Sequence, residues 1–163
     1  MNNAEVAQLL DDCKVELDHV KTLVDGLGPA STIGPYLSRY AVIRACGAVE
    51  TGFKAVIADF CSWRSKRQVK RFLARRIRDG SANPSFELMC KFLNDFDDGW
   101  KKSFKTRVNA EPTKNQLLTS LQSLVDARND FAHGGHPIVT ISDVLKYFQD
   151  SRRILEIMDD VVG

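Results

Sequence analysis

A chain of 163 residues, 44% hydrophobic and 27% charged, has the length and mixture of one globular domain, residues 1–163, and not of a disordered or fibrous polymer. No apolar run approaches the roughly 18 residues a membrane span needs, and the opening MNNAEVAQLL lacks the basic start and apolar centre of a signal peptide, so a cytoplasmic protein is expected. The net charge of +2 does not mark the whole chain as a polyanion binder, so any such role must come from how the charge is distributed.

Helical periodicity dominates, and Pro137 to Ile141 is the only short strand candidate. The first predicted helix covers residues 3–25, with Val6, Leu9, Leu10, Cys13, Leu17, Val20 and Val24 recurring on one face. Gly26, Gly28, Pro29 and Gly34 break the chain, and Pro35 suits the first turn of a second helix over 35–61. That helix is apolar around most of its girth, as a central helix is, so its few charges, Arg44 and Glu50 among them, are expected to be partly buried and paired.

The third helix carries the charge asymmetry. From Arg64 to Arg78 eight of fifteen residues are basic (Arg64, Lys66, Arg67, Lys70, Arg71, Arg75, Arg76 and Arg78) and none is acidic. Val69, Phe72, Leu73 and Ile77 are expected to form its buried stripe, opposite a basic face of Arg64, Arg67, Arg71, Arg75 and Arg78. Such a face fits either a phosphate backbone or a merely solvated surface. Trp63 at its edge fits a core anchor better than a base-stacking ring.

After a loop at Asp79–Asn83, Pro84 opens residues 84–108, one broken or two short helices split near Asp97–Gly99 and anchored by Trp100 and Phe104. The next helix runs from about Pro112 to His133 on a stripe of Leu117, Leu118, Leu121, Leu124 and Val125, and Gly134-Gly135 and then Pro137 end it. Thr140 or Ser142 caps the last helix, whose inward residues include Ile141, Val144, Leu145, Phe148, Leu155 and Met158. An all-α bundle with additional short helices is the simplest architecture. Cys13, Cys46, Cys61 and Cys90 are widely spaced and form no Cys-x-x-Cys pair, so they read as small buried thiols and not as a metal framework.

The chemistry concentrates in Arg128-Asn129-Asp130-Phe131-Ala132-His133-Gly134-Gly135. Arg128 continues the face of Leu121, Leu124 and Val125, so its charge needs a partner or a cleft. His133 stands at the helix C-terminus, whose dipole favours imidazolium while Arg128 opposes it; histidine is the side chain suited to exchange protons near neutral pH. Five residues turn an ideal helix by about 500°, leaving the two side chains about 140° apart. They meet only if the helix end loosens, the arginine curls back, or a second subunit supplies one of them. The plainer readings stay open here: an imidazole bonded to the last carbonyls, and an arginine paired with a buried carboxylate such as Glu50. His136 reads as a loop residue.

Arg-x4-His at the end of the penultimate helix of a small bundle resembles the HEPN (higher eukaryote and prokaryote nucleotide-binding) ribonucleases, with Asn129 as the polar residue after the arginine. The stretch from Arg44 to Glu50 looks like the arginine- and glutamate-bearing helix of several prokaryotic members. The resemblance implies an antiparallel HEPN-like bundle, RNA as partner, no metal or other cofactor, and a homodimer in which two motifs line one cleft. It implies that His133 is the general acid/base, that Arg128 holds the phosphate, that Asn129 orients the site, and that Arg44 and Glu50 support it. Arg64, Arg67, Lys70, Arg71, Arg75 and Arg78 would then bind RNA. Toxin or antiviral defence roles, with an antitoxin or defence-system partner, accompany the family; a non-cutting RNA- or protein-binding module, or a sensor relying on the basic helix alone, is the alternative. The tyrosine that one toxin subgroup carries two residues after the histidine is replaced by Gly135, which speaks against regulation by its modification.

Overall fold

The computed structural model describes residues 1–163, and its regular structure is helical throughout. Helix α1 (Ala4–Leu27) starts where the Asn3 side-chain oxygen accepts the Val6 N–H at 3.1 Å, relieving one of the amides that a first turn leaves unbonded. Helix α2 (Gly34–Ser62) takes Pro35 in its first turn, where the missing N–H costs nothing. Fifteen of its residues are buried, which makes it the central element. Gly52 lets its neighbours come close: a Cβ there would stand 3.0 Å from Leu155 and 3.4 Å from Val6.

Side-chain pairings set the directions of the helices. Arg44 meets Glu16, whereas Gly52 lies by Val6 and Leu10, so α1 and α2 run antiparallel. Helix α6 (Lys114–Ala132) and helix α7 (Ile141–Val162) are also antiparallel: Glu111, just before α6, pairs with Arg153, and Ser120 donates to Asp150 at 2.6 Å. Asp11 pairs with Arg152 while Asn2 meets Asp159, which places α7 antiparallel to α1 as well. The four long helices supply most of one core of 33 buried residues, with Phe53, Phe148, Leu121, Leu124, Ile154 and Leu155 among its fully buried side chains. Each such side chain contributes roughly 1.5–3 kcal/mol by leaving water.

Two short helices close one side. Ser85 caps α4 (Phe86–Phe96) by accepting from Leu88 N–H, so that helix opens two residues beyond Pro84. Asp97 both ends α4 and caps α5 (Asp98–Ala110), accepting from Gly99 and Trp100; the region is therefore two helices. Phe104 is fully buried and Trp100 packs edge-on to Phe60 at 5.2 Å. Cys13, Cys46 and Cys90 are buried free thiols, Cys61 is half-buried, and burial pushes Cys13 up to about 11 and Cys46 up to about 12.

The short strand candidate forms no strand, as an all-α fold requires, and the expectation of one basic amphipathic helix fails. Residues 135–140 form an extended loop without strand pairing, and Ile141 already belongs to α7, whose start is fixed by a capping box of Thr140 and Asp143. The basic segment is not one amphipathic helix. Arg64 has a φ of 56°, α3 spans only Arg67–Leu73, and the chain continues as a π-helical turn over Ala74–Arg78. Leu73 is buried and Ile77 half-buried, but Val69 and Phe72 face solvent. Because α3 is only seven residues long and gives way to the wider π turn after Leu73, a stripe counted at 3.6 residues per turn over the whole segment does not stay on one side.

Candidate functional site

Helix α6 brings Leu121, Leu124 and Val125 into the core, and Arg128, next on that face, emerges half-buried at its edge. Its charge lies close enough to the Cys46 thiol on α2 to oppose the upward push of burial there. Arg128 has no carboxylate partner. Its Nη1 donates to the side-chain oxygens of Asn83 at 3.4 Å and Asn129 at 3.3 Å, and Asn83 Nδ2 donates to Asn129 at 3.1 Å. Bonds this long to neutral amides are weak and leave the guanidinium available to a better acceptor.

Glu50, expected to pair with Arg44 or Arg128, pairs with neither. Its Oε1 accepts from Lys54 Nζ at 2.9 Å and from Ala82 N–H at 2.9 Å, while Lys54 also donates to the Gly80 carbonyl at 2.7 Å. Lys54 is only 7% exposed; two of these contacts partner its buried ammonium, and the Gly80 and Ala82 contacts tie the loop after the π turn to α2. That loop delivers Asn83 to Arg128. Arg44 instead makes a two-pronged contact with Glu16, which Tyr40 also donates to. Arg44 is therefore a brace between α1 and α2, and Glu50 a brace for the Asn83 loop.

The end of α6 is tightly closed and not loosened. Gly134 N–H reaches the Phe131 carbonyl at 3.1 Å, Gly135 N–H reaches the Asp130 carbonyl at 2.8 Å, and Gly134 has a φ of 84°. These two bonds make a Schellman motif, which consumes the last carbonyls and holds the residue before Gly134 in place. That residue is His133. Its backbone caps the helix while its side chain is exposed, with no bond to the helix carbonyls and none to Arg128. Within one chain the guanidinium and the imidazole are thus presented at the same helix end without touching. Exposed apolar side chains flank them, Phe131 on the last turn and Ile138, wholly in solvent, on the following loop.

The basic residues precede the Asn83 loop in the chain. Arg64, Arg67, Lys70, Arg71 and Arg75 are exposed and unpaired, while Arg78 is tied to Asp59. Trp63 is no core anchor: it is 70% exposed, with the Arg64 guanidinium 4.3 Å above its ring. Phe72 is also exposed. Asn83 is the site residue that sequence reasoning missed, because 45 residues separate it from Arg128 and only the fold joins them.

No helix is long and apolar enough to cross a membrane. Comparison with curated proteins and with solved structures gave no match. A family model described as RiboL-PSP-HEPN matches residues 8–163, a span that contains Arg44, Glu50, the basic segment and the Arg128–His133 motif. With nearly the whole chain covered and an all-helical bundle ending in that motif and one further helix, the protein belongs to the RiboL-PSP-HEPN family of HEPN domains.

Proposed function

We propose that the protein is a metal-independent endoribonuclease that cuts RNA by attack of a ribose 2′-OH on the adjacent phosphate. The observation that carries this reading is the state of Arg128: a half-buried guanidinium at a helix end, with no carboxylate and only two long amide contacts. A structural arginine of the core edge would have taken Glu50, which Lys54 and Ala82 occupy. An unneutralised guanidinium on the same helix end as an exposed histidine is suited to a phosphodiester.

In this mechanism His133 accepts the 2′-OH proton as the oxygen bonds to phosphorus. The bond from phosphorus to the 5′ oxygen breaks, and an imidazolium returns a proton to that leaving oxygen. The products are a 2′,3′-cyclic phosphate and a 5′-OH end. Arg128 balances the charge that grows on the phosphoryl oxygens, and Asn129 and Asn83 set its direction. DNA lacks the attacking hydroxyl and is not cut. Because Arg128 and His133 do not touch within one chain, the active unit is taken to be a homodimer whose two motifs share a cleft, with exposed Phe131 and Ile138 buried between copies. A toxin or defence effector held in check by a partner is the biological role that suits such an activity.

The test uses purified protein and single-stranded RNA in EDTA. The wild type is expected to leave cyclic phosphate ends, and Arg128→Ala and His133→Ala are each expected to lose about 10²–10⁴-fold in rate while keeping their circular dichroism and melting temperature. A wild type that binds RNA at high enzyme concentration without cutting it would replace this reading with a binding module.

A further inference from the structure

A cavity of about 410 Å³ opens where the start of α1 meets the last turns of α2 and α7. Val56 and Val162, both buried, and Phe60 and Trp63, both exposed, give it apolar walls. It lies away from the Arg128 site: Cys46, near Arg128, precedes Val56 by ten residues of α2, about 15 Å of helix.

Three carboxylates and no basic side chain line this cavity. Asp59 is already engaged, one oxygen by Arg78 and the other by Asn3 Nδ2 at 2.9 Å. Glu5, in the first turn of α1, is exposed and pairs with nothing. Asp159 is only 3% exposed. Its Oδ2 accepts the backbone N–H groups of Asn2 and Asn3, the second at 3.2 Å. Its Oδ1 accepts nothing, and no cation stands within ion-pair distance of it. Nor is that oxygen sealed: the one buried side-chain polar atom sealed without a partner is Arg39 Nε, so Asp159 Oδ1 opens to the cavity that the residue lines. A carboxylate this deep without a counter-charge is costly, and an incoming cation would offset that cost.

The lining selects among cations. Its acidic side chains do not converge into a metal-holding group, and a hard divalent ion would leave the apolar walls unused. A guanidinium is best held by both oxygens of one carboxylate, whereas Asp159 offers one. An ammonium is a compact point charge with rotating donors, and a single free oxygen suits it. The Trp63 ring already holds the Arg64 guanidinium 4.3 Å from its centroid, so this wall attracts cations. The last turn of α2 adds the negative end of a helix and has no basic residue of its own.

We propose that this cavity binds an alkylammonium ion, with the ammonium on Asp159 Oδ1, Glu5 adding to the attraction, and the alkyl chain against Val56, Val162 and Phe60. The ion is the head of a free amine or of a lysine side chain on a partner protein, one chemistry from two sources. The site does not depend on the ribonuclease reading.

The experiment titrates butylammonium, putrescine, acetyl-lysine amide, butylguanidinium and butanol into the full chain at constant ionic strength. Calorimetry and NMR shifts of the 2–6 and 156–163 amides report binding. Butylammonium is expected to bind more tightly than butylguanidinium or butanol, and to weaken about tenfold or more in Asp159→Asn. That variant keeps an oxygen for the Asn2 and Asn3 N–H groups and turns an NH₂ toward the cavity, so it is expected to stay folded. Butylammonium should raise the melting temperature of the wild type and not that of Asp159→Asn. Glu5→Gln, a surface change, is expected to weaken binding about twofold. Tighter binding of putrescine than of acetyl-lysine amide assigns the site to free amines, and the reverse order assigns it to a partner's lysine. Absence of butylammonium binding at millimolar concentration overturns the proposal, as does binding of butanol or butylguanidinium that is equal or tighter. Unchanged affinity in folded Asp159→Asn overturns it too; should that variant not fold, unchanged affinity in Glu5→Gln does so instead. RNA cleavage is scored in the same variants and is expected to be unchanged, so failure of this site and failure of the nuclease are read separately.

Discussion

Glu16 receives Arg44 through Nε and Nη2 and Tyr40 through its hydroxyl, and these donors, Arg44 foremost, hold its carboxyl down from 4.5 to about 2. The folded group thus ionises at lower pH than the unfolded one, so its contribution is complete above about 4.5 and disappears as pH falls through about 2. Glu16→Gln should melt below the wild type at neutral pH, and the gap should close over that acid window; a gap of constant size from pH 7 to pH 2 would show that the Arg44 contact adds nothing to stability. The exposure of the pair keeps the effect modest. Residues such as these also show what a sequence leaves open. Arg128 is readable as a charge on a core face because four positions repeat at helical spacing. The partner of Glu50 is half-readable: Lys54 stands four residues on, the favourable order for a helical ion pair, whereas Arg44 lies six residues back and on another face. The Asn83 contact is not readable, since it depends on how a loop is tied to α2.

The end of α6 is the element on which the site stands, and glycine chemistry holds it. Gly134 occupies a left-handed conformation that Ala adopts at a cost of about 1–2 kcal/mol. Gly135 does not need that freedom: a Cβ there meets only the Asp130 carboxylate, an exposed side chain able to swing aside. Gly134→Ala should therefore lower stability by roughly that amount and misplace His133, cutting cleavage more than binding, whereas Gly135→Ala should leave the melting temperature nearly unchanged. Equal losses in the two variants would contradict the Schellman geometry. The basic element tells the opposite story about legibility. Its composition is plain in the sequence, but its phase is not, because the segment breaks at Arg64 and again at the π turn, Val69 and Phe72 on the short α3 face outward, and Trp63 departs from the helix altogether. What looked like a buried stripe is an exposed aromatic edge among cations. Measured on His133→Ala protein to prevent cutting, Trp63→Ala should weaken single-stranded RNA binding by about 1–3 kcal/mol. Each Arg→Ala at Arg67 or Arg71 should instead reduce the salt slope by about 0.7. An unchanged slope would make this face a solubility device.

At the scale of the whole molecule, the long helices follow from apolar spacing and their stops, and the bundle follows from burying those faces together. How two reacting groups come together does not follow, because a helix that ends in a closed Schellman motif holds Arg128 and His133 apart, and nothing in one chain's pattern says what bridges the gap. A two-fold pair of chains resolves it if each cleft takes Arg128 from one copy and His133 from the other. Arg128→Ala and His133→Ala proteins, each inactive alone, should then recover activity when unfolded and refolded together. Random pairing makes half of the dimers mixed, and each mixed dimer contains one intact arginine–histidine set of two, so the recovery expected is about a quarter of the wild-type rate. If each chain instead uses its own pair, a mixed dimer contains no complete set and the mixture stays silent. Recovery also requires that the proteins associate, which makes the outcome sensitive to Phe131 and Ile138. Replacing both exposed residues with Ser should abolish complementation and yield monomers by light scattering, without a loss of core stability, since neither side chain belongs to the buried cluster.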